Sequence, residues 1–151
     1  MKLTTRGRYA VMAVVDLAQK SGGQPVSLSD IAERQGISLS YLEQLFGKLR
    51  RCGLVKSIRG PGGGYILSRR ADRIAISDIV LAVDEELEPT QVSSGGTAFG
   101  APDATKELWE ALGNQIYGFL KSVTVADVCN KKISGMGQPA WTNGHKRRAA
   151  S

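Results

Sequence analysis

A run of short polar side chains and cations in the first half of the sequence has the residue types needed to bind a polyanion. Residues 37–65 read ISLSYLEQLFGKLRRCGLVKSIRGPGGGY, and Glu43 is the only acidic residue among them. Five cations surround it: Lys48, Arg50, Arg51, Lys56 and Arg59. Hydroxyl and amide groups can hydrogen-bond to base edges, and Lys and Arg can neutralise phosphates. This stretch therefore predicts a nucleic-acid-binding surface.

The apolar residues of the stretch predict an amphipathic helix that begins at Ser38 or Ser40 and ends at Arg51. Four of them recur at i, i+3, i+4 and i+7 and predict one buried face: Leu42, Leu45, Phe46 and Leu49. The outward residues are then Ser40, Tyr41, Glu43, Gln44, Gly47, Lys48 and Arg51. Glycine at position 47 would let a neighbouring surface approach the helix closely. This outward face is the one expected to contact bases.

Glu43 has two interpretations at this point. With Ser40 it forms the pattern S-x-x-E, a capping box in which the carboxylate satisfies the start of the helix. Alternatively, because phosphates repel a carboxylate, Glu43 sets specificity by accepting a hydrogen bond from cytosine or by rejecting other sequences. The residues alone leave both interpretations open.

Two further helices are predicted ahead of this one. The first is capped by Thr4 or Thr5 and ends at Gly22-Gly23, and its apolar residues at roughly helical spacing are Tyr9, Met12, Ala13, Val15 and Leu17. The second begins at Ser27 and stops at Gly36, with Ile31 and Ala32 inward. A short helix, a glycine-containing turn and a second helix together predict a helix-turn-helix.

Two short strands are predicted after the helix-turn-helix, at residues 54–58 and 65–67. The loop between them is RGPGGG, residues 59–64, in which Arg59 carries the one charge. We expect its glycines to let the backbone lie close against a ligand, with Arg59 in the minor groove or on a phosphate. A nucleotide-phosphate loop is the rival, but the Lys-Ser/Thr ending is absent and a strand follows instead of a helix.

The second half of the sequence predicts two more helices and a loop. Ser77 is predicted to cap a helix in which Ile76 packs on Leu81, and the acidic residues 84–86 after it are expected to be solvated. Residues 88–103 show no periodicity and predict a long loop. A long helix is predicted from Ala104 to Val123, and Thr124 is predicted to cap a last helix that ends at Asn130.

The apolar stripe of the long helix is longer than a small winged domain can cover. Its members are Leu108, Leu112, Ile116, Phe119 and Leu120. A second copy of the chain is the natural cover and would give a two-fold dimer with two DNA-reading surfaces. The alternative is that this helix packs on the first helix of its own chain.

Composition limits the function classes. The net charge of +6 divides into +8 for residues 1–73 and −2 for residues 74–151, because the first part has 13 Lys/Arg against 5 Asp/Glu and the second 7 against 9. A charge split of this kind indicates a polyanion partner. Cys52 and Cys129 predict free thiols in a cytoplasmic protein, and the sequence shows neither a secretory signal nor a membrane-spanning run. The sequence contains no catalytic triad, no carboxylate pair and no metal-ligand spacing. We therefore do not expect an enzyme.

The stretches KLTTRGRYAV, SLSDIAERQGISLSYLEQLFGKLRRCGLVKSIRGPGGGYILS and ISDIVLAVDE resemble the IscR-like family of winged helix-turn-helix regulators. The resemblance covers residues 1 to about 130. It implies a homodimeric repressor and activator of iron-sulfur cluster assembly genes that binds pseudo-palindromic promoter DNA and senses a [2Fe-2S] cluster, with RNA polymerase as a further partner. It also places Ser38, Ser40, Tyr41, Glu43 and Gln44 on the recognition helix, and Arg59, Gly60, Pro61 and Gly62 on the wing.

The predicted fold is therefore mainly α, a winged helix-turn-helix DNA-binding domain plus a long dimerisation helix. The domain covers residues 1–84, a flexible loop covers 85–103, the dimerisation helix and a short helix cover 104–131, and a disordered basic tail covers 132–151. A winged-helix module that binds another protein and no DNA is the second candidate. Salt-insensitive binding would favour that second candidate.

The sequence departs from the family in the loop. The resemblance implies three cysteines and a histidine there as cluster ligands, and their positions hold Val92, Ala98, Ala104 and Glu107. Valine and alanine have no donor atom, so we expect no cofactor in this chain and constitutive DNA binding. The ligands were either replaced deliberately in a cluster sensor or lost in a natural cluster-free member, and the sequence fits both accounts.

Overall fold

The protein is described from a computed structural model, which covers residues 4–84 and 104–133. The fold is mainly helical with one small antiparallel sheet, as predicted. Its elements are α1 (Thr5–Lys20), α2 (Leu28–Gln35), α3 (Leu39–Arg51), β1 (Val55–Ile58), β2 (Gly64–Leu67), a 3-10 turn (Ala71–Arg73), α4 (Ile76–Val83), α5 (Lys106–Ser122) and α6 (Val125–Cys129). The predicted long loop and basic tail lie largely outside the described residues.

Side-chain caps start four of the helices at the residues or alternatives that the sequence indicates. The caps are Thr4 for α1, Ser27 for α2, Ser38 for α3 and Thr124 for α6. Each hydroxyl accepts a hydrogen bond from a backbone N–H group of the first turn, which otherwise has no partner inside the helix. Gly36 ends α2 in the left-handed conformation, with φ 65°.

The core lies between α1, α3 and α4. Its largest fully buried side chains include Leu17, Ile31, Leu42, Leu45, Phe46, Leu49, Ile74 and Ile79. On α1 the buried positions are Ala10, Ala13, Val14 and Leu17. Of the apolar α1 residues at helical spacing, Ala13 and Leu17 are buried, whereas Met12 is exposed.

The two strands form a hairpin in which Val55 pairs with Leu67 and Ile58 with Gly64. A third segment joins it, because Val26 forms an antiparallel bridge with Tyr65. The Val26 N–H donates to Tyr65 O at 3.0 Å, and the Tyr65 N–H donates to Val26 O at 2.8 Å. The hairpin is thereby tied to the residues that lead into α2.

The start of α4 differs from the prediction. The helix begins at Ile76 rather than after Ser77, and the Asp78 carboxylate accepts a hydrogen bond of 3.1 Å from the Ala75 N–H. Ser77 is buried inside the first turn, and Leu81 is exposed, so the predicted packing of Ile76 on Leu81 is wrong.

Asp84, at the end of α4, is also not solvated as predicted. Only 5% of its surface is exposed. The Thr4 hydroxyl donates a hydrogen bond to its carboxylate, and a Cβ on Gly7 would lie 3.3 Å from the same group. Asp84 therefore fixes the end of α4 against the first turn of α1.

The last two helices have different environments. α6 packs on α1, and Val125 is fully buried. Backbone hydrogen bonds join Ile76 N–H to Val123 O at 2.8 Å and Val125 N–H to Ile74 O at 2.9 Å. The core thus includes residues well beyond position 84. By contrast, α5 packs on α4 but has no buried residue.

Within residues 4–84 and 104–133, none of the helices combines the length and the apolar character that crossing a membrane requires.

Candidate nucleic-acid interface

The buried face of α3 holds this helix firmly in the core. Its four predicted inward residues, Leu42, Leu45, Phe46 and Leu49, are all buried. Phe46 also packs edge-on against Tyr65 of β2, with 5.0 Å between the ring centroids. This contact links the helix to the hairpin, so the outward face of α3 and the wing keep a fixed relation to each other.

The N-terminus of α3 rules out one of the two interpretations of Glu43. Ser38 is the cap, and its Oγ accepts a hydrogen bond of 3.1 Å from the Tyr41 N–H. Ser40 lies inside the first turn, with its Oγ 3.2 Å from that of Ser38. The capping box of Ser40 and Glu43 is therefore wrong, and the exposed Glu43 carboxylate stands one turn into the helix.

Most of the predicted DNA-binding residues are exposed. These are Ser38, Ser40, Glu43 and Gln44 on α3, and Arg59, Gly60, Pro61 and Gly62 in the loop that follows β1. Lys48 and Tyr41 are half-buried. The Tyr41 ring packs edge-on against Tyr9 of α1, with centroids 6.0 Å apart, so this residue also joins α3 to α1.

Gly47 lies on the outward side of α3 among these groups. A Cβ built there would meet no atom of the chain within 4 Å. The fold itself therefore does not require glycine at this position.

The wing is the loop of residues 59–64. Its glycines were expected to let the backbone approach a ligand, but the structure gives another reason for them. Gly60 and Gly62 adopt positive φ, 107° and 74°, and the Gly63 N–H donates to Gly60 O at 2.9 Å to close the turn. A Cβ on Gly63 would lie 2.3 Å from Ile58 O, and one on Gly64 would lie 2.3 Å from Val26 O. The hairpin itself therefore requires these glycines, whether or not a ligand is bound.

Further cations extend the positive surface beyond the predicted residues. Arg69, Arg70 and Arg73 follow β2 and are exposed, and Arg70 pairs with Asp72 at 3.1 Å. The excess of positive charge in residues 1–73 predicts a basic surface as a whole. It does not identify these three arginines, because they follow no periodic pattern.

An ion pair between a buried carboxylate of α1 and a partly exposed arginine joins α1 to α2, the first helix of the helix-turn-helix. Asp16 of α1 is 3% exposed, and it accepts hydrogen bonds from Arg34 Nη2 at 2.7 Å and Gln35 Nε2 at 2.8 Å. Burial raises the pKa of Asp16, but the hydrogen bonds from Arg34 and Gln35 and the Arg34 charge outweigh burial and lower it overall. This pair was not predicted, because nothing in the local sequence pattern marks Asp16 as buried.

Comparison with known proteins gives the identity of the fold. Residues 3–131 match the Rrf2 family, described as iron-dependent transcriptional regulators. The chain belongs to the Rrf2 family. It is 49% identical to the HTH-type transcriptional regulator IscR of Escherichia coli O1:K1 / APEC, over 87% of this chain and 82% of that protein.

Solved structures of the Rrf2 family agree with this assignment. The structure of T. potens IscR is similar with a TM-score of 0.70 and 41% identity, and the match covers 95% of this chain and 96% of that chain. CymR, the global cysteine regulator of B. subtilis, is similar with a TM-score of 0.72 and 36% identity, over 87% of this chain and 98% of that chain. The winged-helix fold and a DNA-binding regulator of transcription are thus confirmed, and these relatives are named as regulators, not enzymes.

The predicted dimer residues of this Rrf2 protein divide into two groups. Leu108, Leu112 and Phe119 are exposed, as is the neighbouring Trp109. Ile116 and Leu120 are half-buried, and Leu120 packs against the core of its own chain. The exposed apolar surface of α5 is therefore formed by Leu108, Leu112 and Phe119, with Trp109 and Tyr117 beside them.

The chain does not fit the cluster that the IscR resemblance implies. Ala104 and Glu107 are exposed, while Val92 and Ala98 lie outside the described residues, and three of these four side chains lack a donor atom. Cys52 is exposed at the end of α3, and burial raises the pKa of the Cys129 thiol on α6, which disfavours the thiolate that iron requires. Among the described residues, no group of three or more His, Cys, Asp and Glu side chains is arranged to hold a metal.

Proposed function

We propose that the protein is a homodimeric regulator that binds pseudo-palindromic promoter DNA, with α3 in the major groove and the wing on the minor groove. The observation that supports this most is that Ser40, Glu43 and Gln44 on the outward face of α3 are exposed, as is Arg59 of the wing. Neutral and acidic hydrogen-bonding groups select bases, and the surrounding cations bind phosphates. We take α3 as the recognition helix.

The homodimer is supported by the open side of α5. Leu108, Leu112 and Phe119 expose apolar surface along one side of a helix that the described part of its own chain leaves uncovered. A second α5 would cover this side and would place two recognition helices on successive half-sites. Because a two-fold symmetric dimer presents the same surface twice, the proposed DNA site is pseudo-palindromic.

The regulator acts without a cluster in this proposal. Because the family ligand positions hold Val92, Ala98, Ala104 and Glu107, DNA binding should be constitutive. By similarity to IscR, its target genes would be those of iron-sulfur cluster assembly, in the cytoplasm, with RNA polymerase as a further partner at the promoter.

The first experiment is a DNA-binding titration at several salt concentrations. We expect the affinity of the full chain for a duplex selected from a random library to fall steeply as salt rises, because bound phosphates release counterions. Binding that is insensitive to salt would contradict the proposal and favour the protein-interaction module instead.

Arg59→Ala tests the role of the wing. If Arg59 holds a phosphate, we expect weaker binding to every duplex and a salt slope that is shallower by about one unit. If it reads a base, we expect a loss of roughly 1 to 3 kcal/mol at one position of the site. Lys106→Ala, which removes one cation from α5, is the charge-matched control. Unchanged affinity for Arg59→Ala would exclude Arg59 of the wing from the DNA interface.

A third experiment tests the empty ligand positions. Val92, Ala98 and Ala104 are changed to Cys and Glu107 to His, and the protein is purified without oxygen. Visible absorption of a cluster, with altered DNA preference, would identify a disabled sensor. A colourless protein would support a natural cluster-free member of the family.

A further inference from the structure

Leu39, the first residue of α3, is an apolar side chain among polar ones. It is 41% exposed, whereas the other three leucines of this helix, Leu42, Leu45 and Leu49, are buried. The residues on either side of it, Ser38 and Ser40, are exposed as well. The row of hydrogen-bonding groups at the start of α3 is thus interrupted by one side chain that can make only apolar contacts.

The hydroxyls beside Leu39 are already engaged with each other and with the helix. Ser38 Oγ accepts from the Tyr41 N–H at 3.1 Å and lies 3.2 Å from Ser40 Oγ. These bonds fix the backbone at the beginning of α3 and so fix where Leu39 projects. An apolar group at a fixed position can recognise an apolar group on the partner.

The apolar group that the major groove offers is the 5-methyl group of thymine. The N-terminal residues of a recognition helix are the ones that contact base edges in a helix-turn-helix. We propose that Leu39 contacts a thymine 5-methyl group and contributes to the sequence preference of the protein. This inference rests on the proposed insertion of α3 into the major groove.

The exposure of Leu39 makes it suitable for a test by substitution. Leu39→Ala leaves the buried face of α3 unchanged, because α3 is held by its four buried side chains and by the Ser38 cap. We therefore expect the thermal unfolding midpoint of Leu39→Ala to match that of the wild type. A change in DNA binding can then be assigned to the lost contact.

The experiment combines protein and DNA substitutions. Duplexes that the full wild-type chain selects from a random library are resynthesised with each thymine replaced in turn by deoxyuridine, which removes only the methyl group. At one thymine of each half-site we expect wild-type affinity to fall about fourfold, the factor for losing one buried methyl-sized group. Leu39→Ala should bind the thymine duplex more weakly and should be insensitive to deoxyuridine at that same position.

Leu81→Ala is the matched control, since Leu81 is 37% exposed but lies on α4, outside the proposed interface. It should bind both duplexes as the wild type does. Equal deoxyuridine effects in wild type and Leu39→Ala at every thymine, or no effect in the wild type, would overturn the inference. A wild-type chain that selects no duplex would refute the proposed function itself, whereas selection without this coupling refutes the Leu39 contact alone.

Discussion

At the start of α3, the Ser38 side chain has a structural role that Glu43 does not share. Ser38 carries the cap, so Glu43 is not needed to satisfy the start of the helix. Its carboxylate is exposed on a surface otherwise rich in cations. We infer that this charge acts through a bound partner, and it should matter for which DNA sequence is preferred.

Glu43→Ala should therefore relax sequence preference without a loss of stability. We expect the ratio of affinities for the selected duplex and for single-base variants to fall, because a group that accepts from cytosine or rejects other bases is removed. Competition titrations measure this ratio. The control is Ser38→Ala, which should cost about 1 kcal/mol in unfolding free energy because the cap is lost. A similar loss of stability in Glu43→Ala, with preference unchanged, would contradict this assignment.

Two glycines on the same surface should respond to alanine in opposite directions. Gly64→Ala should destabilise by roughly 1 to 3 kcal/mol, because its Cβ would lie 2.3 Å from the Val26 carbonyl oxygen. Gly47→Ala should stabilise by about 1 kcal/mol, because a helical glycine with open space around it gains helix propensity. Urea unfolding measures both variants, and a destabilised Gly47→Ala would show that the helix is strained there.

At the scale of elements, periodicity and caps predict most of the fold. The buried stripe of α3 and the caps of α1, α2 and α6 follow from local rules, because each depends on residues within one or two turns. Contacts between distant residues were not predictable in this way. The bridge from Val26 to Tyr65, the burial of Asp84 and the packing of α6 on α1 each join parts of the chain that no local pattern connects.

The features of the candidate DNA-binding site that depend on neighbouring residues could be predicted, and those that depend on distant residues could not. The polar face of α3 and the exposed Arg59 could be recognised from residue types and spacing. The reason for the wing glycines could not, because it depends on the carbonyl oxygens of Ile58 and Val26 in the folded hairpin.

The ion pair between α1 and α2 predicts a specific pH dependence. The pKa of Asp16 is lowered in the folded state, so its contribution to stability is full above the unfolded-state pKa and is lost as pH falls through the folded-state pKa. Asp16→Asn should cost about 1 to 3 kcal/mol at pH 7, because bonds to a charged group are weakened. The difference between the two proteins in urea unfolding should shrink in acid, and a constant difference down to low pH would contradict the pair's role.

On the scale of the whole molecule, the proposed dimer depends on α5. Leu112 is 49% exposed in the middle of the open apolar side. Leu112→Asp should weaken the dimer by roughly 2 kcal/mol or more, the cost of losing a central interface residue, and sedimentation should show a monomer. Affinity for a duplex with two half-sites should fall, while affinity for a single half-site should not change.

The control for this assembly is Asn114→Asp, which adds the same charge about 200° around the helix from Leu112. It should leave the dimer intact. A dimer that survives Leu112→Asp would mean that another surface joins the two copies.

The bridge between Val26 and Tyr65 also affects the thermodynamics of DNA binding. A free hairpin must lose conformational entropy when it is ordered by a ligand, and that loss weakens association. Here two backbone hydrogen bonds already tie the base of the wing to the residues before α2. Docking should therefore be close to rigid-body, and the amide protons of Val26 and Tyr65 should exchange slowly with solvent before any DNA is present.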